Sequence, residues 1–370
     1  RFTRDPGLST LLVFVAVIVA LYWQSRNNND ESPLSFAPKV KPLPIHLQRV
    51  WWIRHMPRLA IGFTLFLIIM LAWHYGTLFD WADRFIWFWD MPPDRIKPSQ
   101  FFLYSTIAAF AIVTASLTVI TGWSGQVSLA QMSYAGIGAL SAAAFNRGVE
   151  FDIGYGDNRL LDVEWSGIPT LPSIVLAVFF TATVAAITGI GALRVRGIML
   201  AISTFAFAIA AEKYIYGRPF FSDNQSSVVF ERGWIFDWHL KDQRTFFYFS
   251  LACLVFTILV IGRVRRSGIG RSIIAVRDNA DTASAYTVSP VRMKLTAFAV
   301  AGGIAGLGGA VFGNATRQIR FSEAHFQIAD SLQVVNMVVI GGLGSVIGPV
   351  IGAFWVRGLP TLFPDTTLIS

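Results

Sequence analysis

Apolar residues in this chain gather into long uninterrupted runs, not into the three-to-four spacing of a surface helix or the alternation of a half-buried strand. The runs occupy residues 8–23, 59–75, 101–120, 129–145, 171–193, 198–211, 246–262, 295–313 and 332–356, and each carries little or no charge. Most come close to the roughly 20 residues an α-helix needs to cross the hydrocarbon core of a bilayer. The pattern predicts an all-α fold, a polytopic transmembrane helical bundle of about 8–9 spans, some broken or re-entrant.

Polar residues between the runs predict orientation, because the insertion machinery resists translocating Lys and Arg. Residues 24–58 hold six basic side chains against Asp30 and Glu31, and residues 263–294 hold seven against Asp278 and Asp281. Both segments are expected on the cytoplasmic side. Residues 146–170 invert the balance, with Arg147 and Arg159 against Glu150, Asp152, Asp157, Asp162 and Glu164, and are expected outside. Tryptophans 51, 52, 73, 81, 87, 89, 234 and 238 lie at or just beyond span ends, where an amphipathic ring favours the headgroup level.

Asn-rich and then Pro-rich sequence within 24–44 reads as a linker. It divides the chain into a segment 1–23, an accessory helix or the tail of a preceding module, a basic linker 24–58, and a membrane domain 59–370. The chain starts without Met and stops soon after an apolar run, so both ends are expected to be cut from a longer polypeptide.

Composition supports the membrane assignment, with 54% hydrophobic and 14% charged residues. The net charge of +8 is the expected excess of cytoplasmic loops, not a nucleic-acid footprint. A single cysteine, Cys253, excludes an intrachain disulfide, and the scattered histidines offer no metal-ligand pair. No Ser-His-Asp or paired-carboxylate constellation lies near the spans, and no G-x-x-x-x-G-K-[ST] phosphate loop occurs, so neither catalysis nor nucleotide binding is expected of this chain.

Three polar or glycine-rich stretches interrupt the runs. "TGWSGQVSLAQMS" carries no charge, yet places Ser124, Gly125, Gln126, Ser128 and Gln131 between two apolar segments. An amide without a partner in apolar surroundings costs roughly 2–7 kcal/mol, so these groups are not expected to face lipid. A short cytoplasmic hairpin is one reading. A broken helix lining a substrate path is the other. "AGGIAGLGGAVFG" sets Gly302 and Gly306, then Gly309 and Gly313, four apart, a spacing that lets membrane helices approach closely. In "VVIGGLGSVIGPVIGAF", Gly341, Gly342 and Gly344 break an apolar run that cannot be one straight helix.

Four blocks in this order, "TGWSGQVSLAQMSYAGIGAL", "LRVRGIMLAISTFAFA", "GRSIIAVRDNADTASAYTVSPVRMKLTAFAVAGGIAGLGGAVFG" and "LQVVNMVVIGGLGSVIGPVIGAF", resemble the permease subunits of branched-chain amino acid ABC importers. The resemblance implies a multi-pass protein of the bacterial inner membrane that works with a homologous second permease, two cytoplasmic ATPase subunits that bind ATP, and an extracytoplasmic solute-binding protein. Relatives of the family carry urea or short amides, and a passive urea or amide channel is the alternative reading. The family's ATPase-contacting loop matches residues 270–290. An amphipathic helix is expected there, with Arg271, Ala275, Arg277, Asp278 and Ala283 as ATPase-coupling contacts, or else lying on lipid headgroups.

Overall fold

A computed structural model describes residues 98–155, 158–192, 197–222, 227–230, 232–235, 238–320, 326–342 and 345–358. The accessory segment, the linker, the apolar runs at 8–23 and 59–75 and Gly344 lie outside the described residues.

The element order is α1 Pro98–Leu117, continued by a π-helical turn Thr118–Trp123, then α2 Gln131–Arg147, β1 Gly148–Tyr155, β2 Asn158–Ser166 and α3 Thr170–Ala192. Next come α4 Ile198–Ala210 with a π-helical turn Ala211–Ile215, α5 Pro219–Ser222, β3 Ser227–Val229, β4 Trp234–Ile235, β5 Trp238–His239 and α6 Gln243–Arg266. The chain continues as α7 Gly268–Asp278, α8 Ala280–Ala285, α9 Pro290–Thr316, β6 Gln318–Arg320, α10 Ile328–Gly341 and α11 Gly348–Ala353, which ends in a π-helical turn Phe354–Gly358.

Five of these helices, Phe101–Trp123, Thr170–Gly191, Ile198–Ile215, Gln243–Arg266 and Pro290–Thr316, are long and apolar enough to span a bilayer. Eight or nine spans were expected along the whole chain. Among the described residues the run at 129–145 becomes α2, only 17 residues long, and the run at 332–356 becomes two short helices. The spanning elements are helical as expected, but the loops also form two-stranded antiparallel sheets, β1 with β2, β3 with β6 and β4 with β5. Short strands between spans let loop backbone pair locally where lipid and helix do not satisfy it.

α9 is the axis of the bundle. Ser289 caps it by accepting from the Arg292 N–H, and Pro290 occupies the first turn, where its missing N–H is no loss. Its small residues let three helices close on it. A Cβ on Gly302 would lie 2.1 Å from the Ala185 Cβ of α3, and one on Gly309 would lie 1.8 Å from the Ala135 carbonyl oxygen of α2. Gly308 takes α1, where a Cβ would come 2.6 Å from Val113. Gly138 of α2 and Gly306 of α9 meet backbone to backbone.

α10 and α11 pack as an antiparallel pair. Gly341 lies against Gly348 and Gly352 against the Met337 carbonyl, each too close for a side chain, and Asp330 pairs with Arg357 at 3.1 Å further along. Gly342 has φ +94°, a left-handed conformation that ends α10 and favours glycine. Outside the bundle, Phe179, Ile187 and Ile190 of α3 and Phe256 and Leu259 of α6 stand more than half exposed. Faces of this kind suit lipid and are unsuited to water.

Candidate functional site: a broken helix beside a short amphipathic helix

α1 does not run on into α2. Its last turns widen to π geometry, and the chain then loses helical form from Ser124 until Gln131 begins α2. Gly125 has φ +69°, a conformation that an L side chain rarely adopts, and it turns the chain there. The freed backbone groups find local partners. The Ser124 N–H donates to the Val119 carbonyl at 3.2 Å, the Gln126 N–H to the Ile120 carbonyl at 3.1 Å, and the Thr121 hydroxyl to the Gln126 carbonyl at 3.1 Å. The Leu129 N–H reaches across to Thr204 Oγ1 of α4 at 3.1 Å. Ser128 is 1% exposed and accepts from the Ala130 N–H at 3.4 Å, so its hydroxyl serves the turn itself.

The side chains fare differently. Ser124, Gln126 and Gln131 are all buried. Among the described residues Ser124 Oγ, Gln126 Oε1 and Gln131 Nε2 have no hydrogen-bond partner, and neither do Thr118 Oγ1 and Trp123 Nε1. A buried polar atom left unpaired costs about 1–3 kcal/mol, so one short stretch concentrates several such penalties. Among the described residues only Ser331 Oγ and Arg357 Nε share this condition outside it, and Arg357 makes other contacts. Thr118 and Trp123 were not singled out in the sequence. The Trp between two glycine-flanked turns was the available signal, since an indole N–H amid apolar residues needs a partner.

Gly302, Gly306, Gly309 and Gly313 along α9 and Gly341 on α10 lie too close to their neighbours for a Cβ, while a Cβ on Gly342 would meet open space.

Comparison with known families decides the class. The family described as the permease component of branched-chain amino acid transport systems matches residues 100–366. The chain belongs to this permease family. The permease is also 28% identical over 268 residues to the high-affinity branched-chain amino acid transport system permease proteins LivM of Salmonella typhimurium and of Escherichia coli, a match covering 66% of the chain and 59% of each relative. The permease thus matches less than two thirds of the length of these relatives. No solved structure matches it.

The segment expected to be one helix over 270–290 is two. Ser267 starts α7 by accepting from the Gly270 N–H, and the permease leaves helical geometry at Asn279, whose side chain accepts from the Asp281 and Thr282 N–H groups to start α8. An Asn that caps the next turn competes with continuing the previous one. Ile273 and Val276, the apolar side of α7, are buried against the rest of the chain. Ala283 is 7% exposed and buried likewise, which corrects its assignment as an outward contact. Arg271, Ala275 and Asp278 remain on the open face. Arg277 turns inward, where its Nη1 donates to the Gly122 carbonyl at 2.8 Å while Nε and Nη2 donate to Asp278 Oδ1. The α7 helix and the broken segment are therefore in direct contact.

On the opposite side of the bundle, Arg232 caps α9. It donates to the Asn314 carbonyl at 2.6 Å and the Ala315 carbonyl at 2.8 Å and stacks over Phe246. Burial first, and then the neighbouring Arg317 charge, push its guanidinium down to about 9.

Proposed function

We propose that the permease is one membrane-spanning half of an ATP-driven importer for branched-chain amino acids or a related small polar solute, in the inner membrane of a bacterium. Its partners in this reading are a homologous second permease, two cytoplasmic ATPase subunits that bind the ATP, and an extracytoplasmic solute-binding protein. The observation that carries the reading is the uncharged break at 118–131, which keeps several buried polar atoms unpaired while α7 holds one end of it. Residues 124–126 and Gln131 form the substrate path in this reading, and the open face of α7, with Arg271, Ala275 and Asp278, is the ATPase contact. Family membership and the names of the LivM relatives support the substrate class.

The test is uptake into proteoliposomes of the complex assembled from all its subunits. Labelled leucine should accumulate only with ATP and Mg²⁺. Equilibration of labelled urea through the permeases alone without nucleotide, with no ATP-driven leucine uptake, would favour a passive urea or amide pore instead.

A further inference from the structure

Gly122 stands in the last turn of the π-helical end of α1, among the carbonyls that a helix cannot pair for itself. The negative end of the helix dipole lies there, and a cation donating to such a carbonyl is favoured. Here the cation comes from another element, 155 residues further along the chain. The Arg277 guanidinium is held by Asp278 through two donations to Oδ1, at 2.9 Å and 2.8 Å, and spends its third group on Gly122. Asp278 belongs to the same helix, so the ion pair ties the orientation of the guanidinium fork to α7.

α7 is otherwise held on one face only. Its inner face is pinned by Ile273 and Val276, and its junction with α6 is tight, since a Cβ on Gly270 would lie 2.2 Å from the Val264 carbonyl oxygen. Its outer face is open. The charged hydrogen bond from Arg277 to the Gly122 carbonyl therefore links a helix with one open face to the broken segment.

We propose that Arg277 is a positioning residue, the strut through which movement of α7 re-aims residues 118–130. This rests on the importer reading above. Arg277 then acts inside the permease, not as a contact for an ATPase subunit. When the strut pulls on Gly122, the unpaired groups of Ser124, Gln126 and Gln131 are the ones that change surroundings.

The test is hydrogen exchange of the amides of residues 118–130 in the fully assembled complex in lipid nanodiscs, with and without ATP and Mg²⁺, for wild type, Arg277→Ala and Arg277→Lys. Wild type should show a nucleotide response of about tenfold, the scale of a modest coupling free energy. Arg277→Ala should lose that response while retaining its ATPase subunits. Arg277→Lys, which keeps one donor for Gly122 but no fork, should recover part of it. A full response in Arg277→Ala would overturn the strut, and so would loss of the ATPase subunits from both variants, which would make Arg277 a docking or folding residue. A wild-type complex that responds in exchange but imports nothing with ATP would sink the importer reading and leave the strut standing.

Discussion

Ser116 Oγ lies 2.9 Å from Gln131 Oε1, joining the body of α1 to the first residue of α2 across the segment where the chain leaves helical form. The same hydroxyl is 2.6 Å from the Val113 carbonyl, and its one proton can serve only one acceptor at a time. Whichever way the amide is turned, one polar atom of Gln131 has no partner.

Gln126→Leu removes an unpaired Oε1 and its desolvation cost, and it should leave the thermal stability of the complex unchanged or raised by about 1 kcal/mol. Uptake should nevertheless fall by at least about tenfold, a loss of roughly 1.4 kcal/mol of barrier lowering. Full uptake with raised stability would remove Gln126 from the path.

The stripe of Gly302, Gly306, Gly309 and Gly313 was legible in the sequence because these positions lie within about 60° of one another around a helix. Which helix meets each of them was not. α3 crosses at Gly302 and Gly306, α2 at Gly306 and Gly309, Gly313 lies first against Phe230 and then against Ala139 of α2, and Gly308, on another face and outside the four-residue rule, takes α1. Spacing reports a face, whereas crossing height is set by partners distant in sequence. The break at 118–131 was visible as uncharged polarity between apolar runs, but Arg277 read as an outward charge because nothing local showed the Gly122 carbonyl waiting for it. The same limit made one helix of α7 and α8, since the turn depends on Asn279 capping forward.

Gly309→Val should destabilise the solubilised permease by about 3 kcal/mol or more, because even a Cβ would strike the Ala135 carbonyl backbone. Gly262→Ala in α6 is the control. A Cβ there meets nothing within 4 Å, and a helix-favouring residue should add about 0.5–1 kcal/mol. Thermal unfolding in detergent measures both, and equal effects would contradict the packing scheme.

Arg232→Met should lower stability by about 3 kcal/mol, since it leaves the Asn314 and Ala315 carbonyls at the end of α9 without their charged donor. The same melting experiment reads it. A neutral outcome would mean that those carbonyls find other partners.

Orientation is tested by single cysteines at Asn158 in β2 and Ser272 in α7, each in a Cys253→Ser background. An impermeant maleimide applied to intact cells should label the first and spare the second. Labelling of Ser272 from outside would invert the topology.

The most direct test of the path is the reactivity of a cysteine replacing Ser124, again in Cys253→Ser, toward a small water-soluble thiosulfonate in the assembled complex. Ser124 is 5% exposed, so the thiol should be nearly inert in this conformation, the one expected without nucleotide. During ATP turnover its reaction should quicken by at least about tenfold, as expected of a site opened by a coupled conformational change, and leucine should protect it. Reactivity that is the same with and without ATP, whether low or high, would contradict a path through this segment.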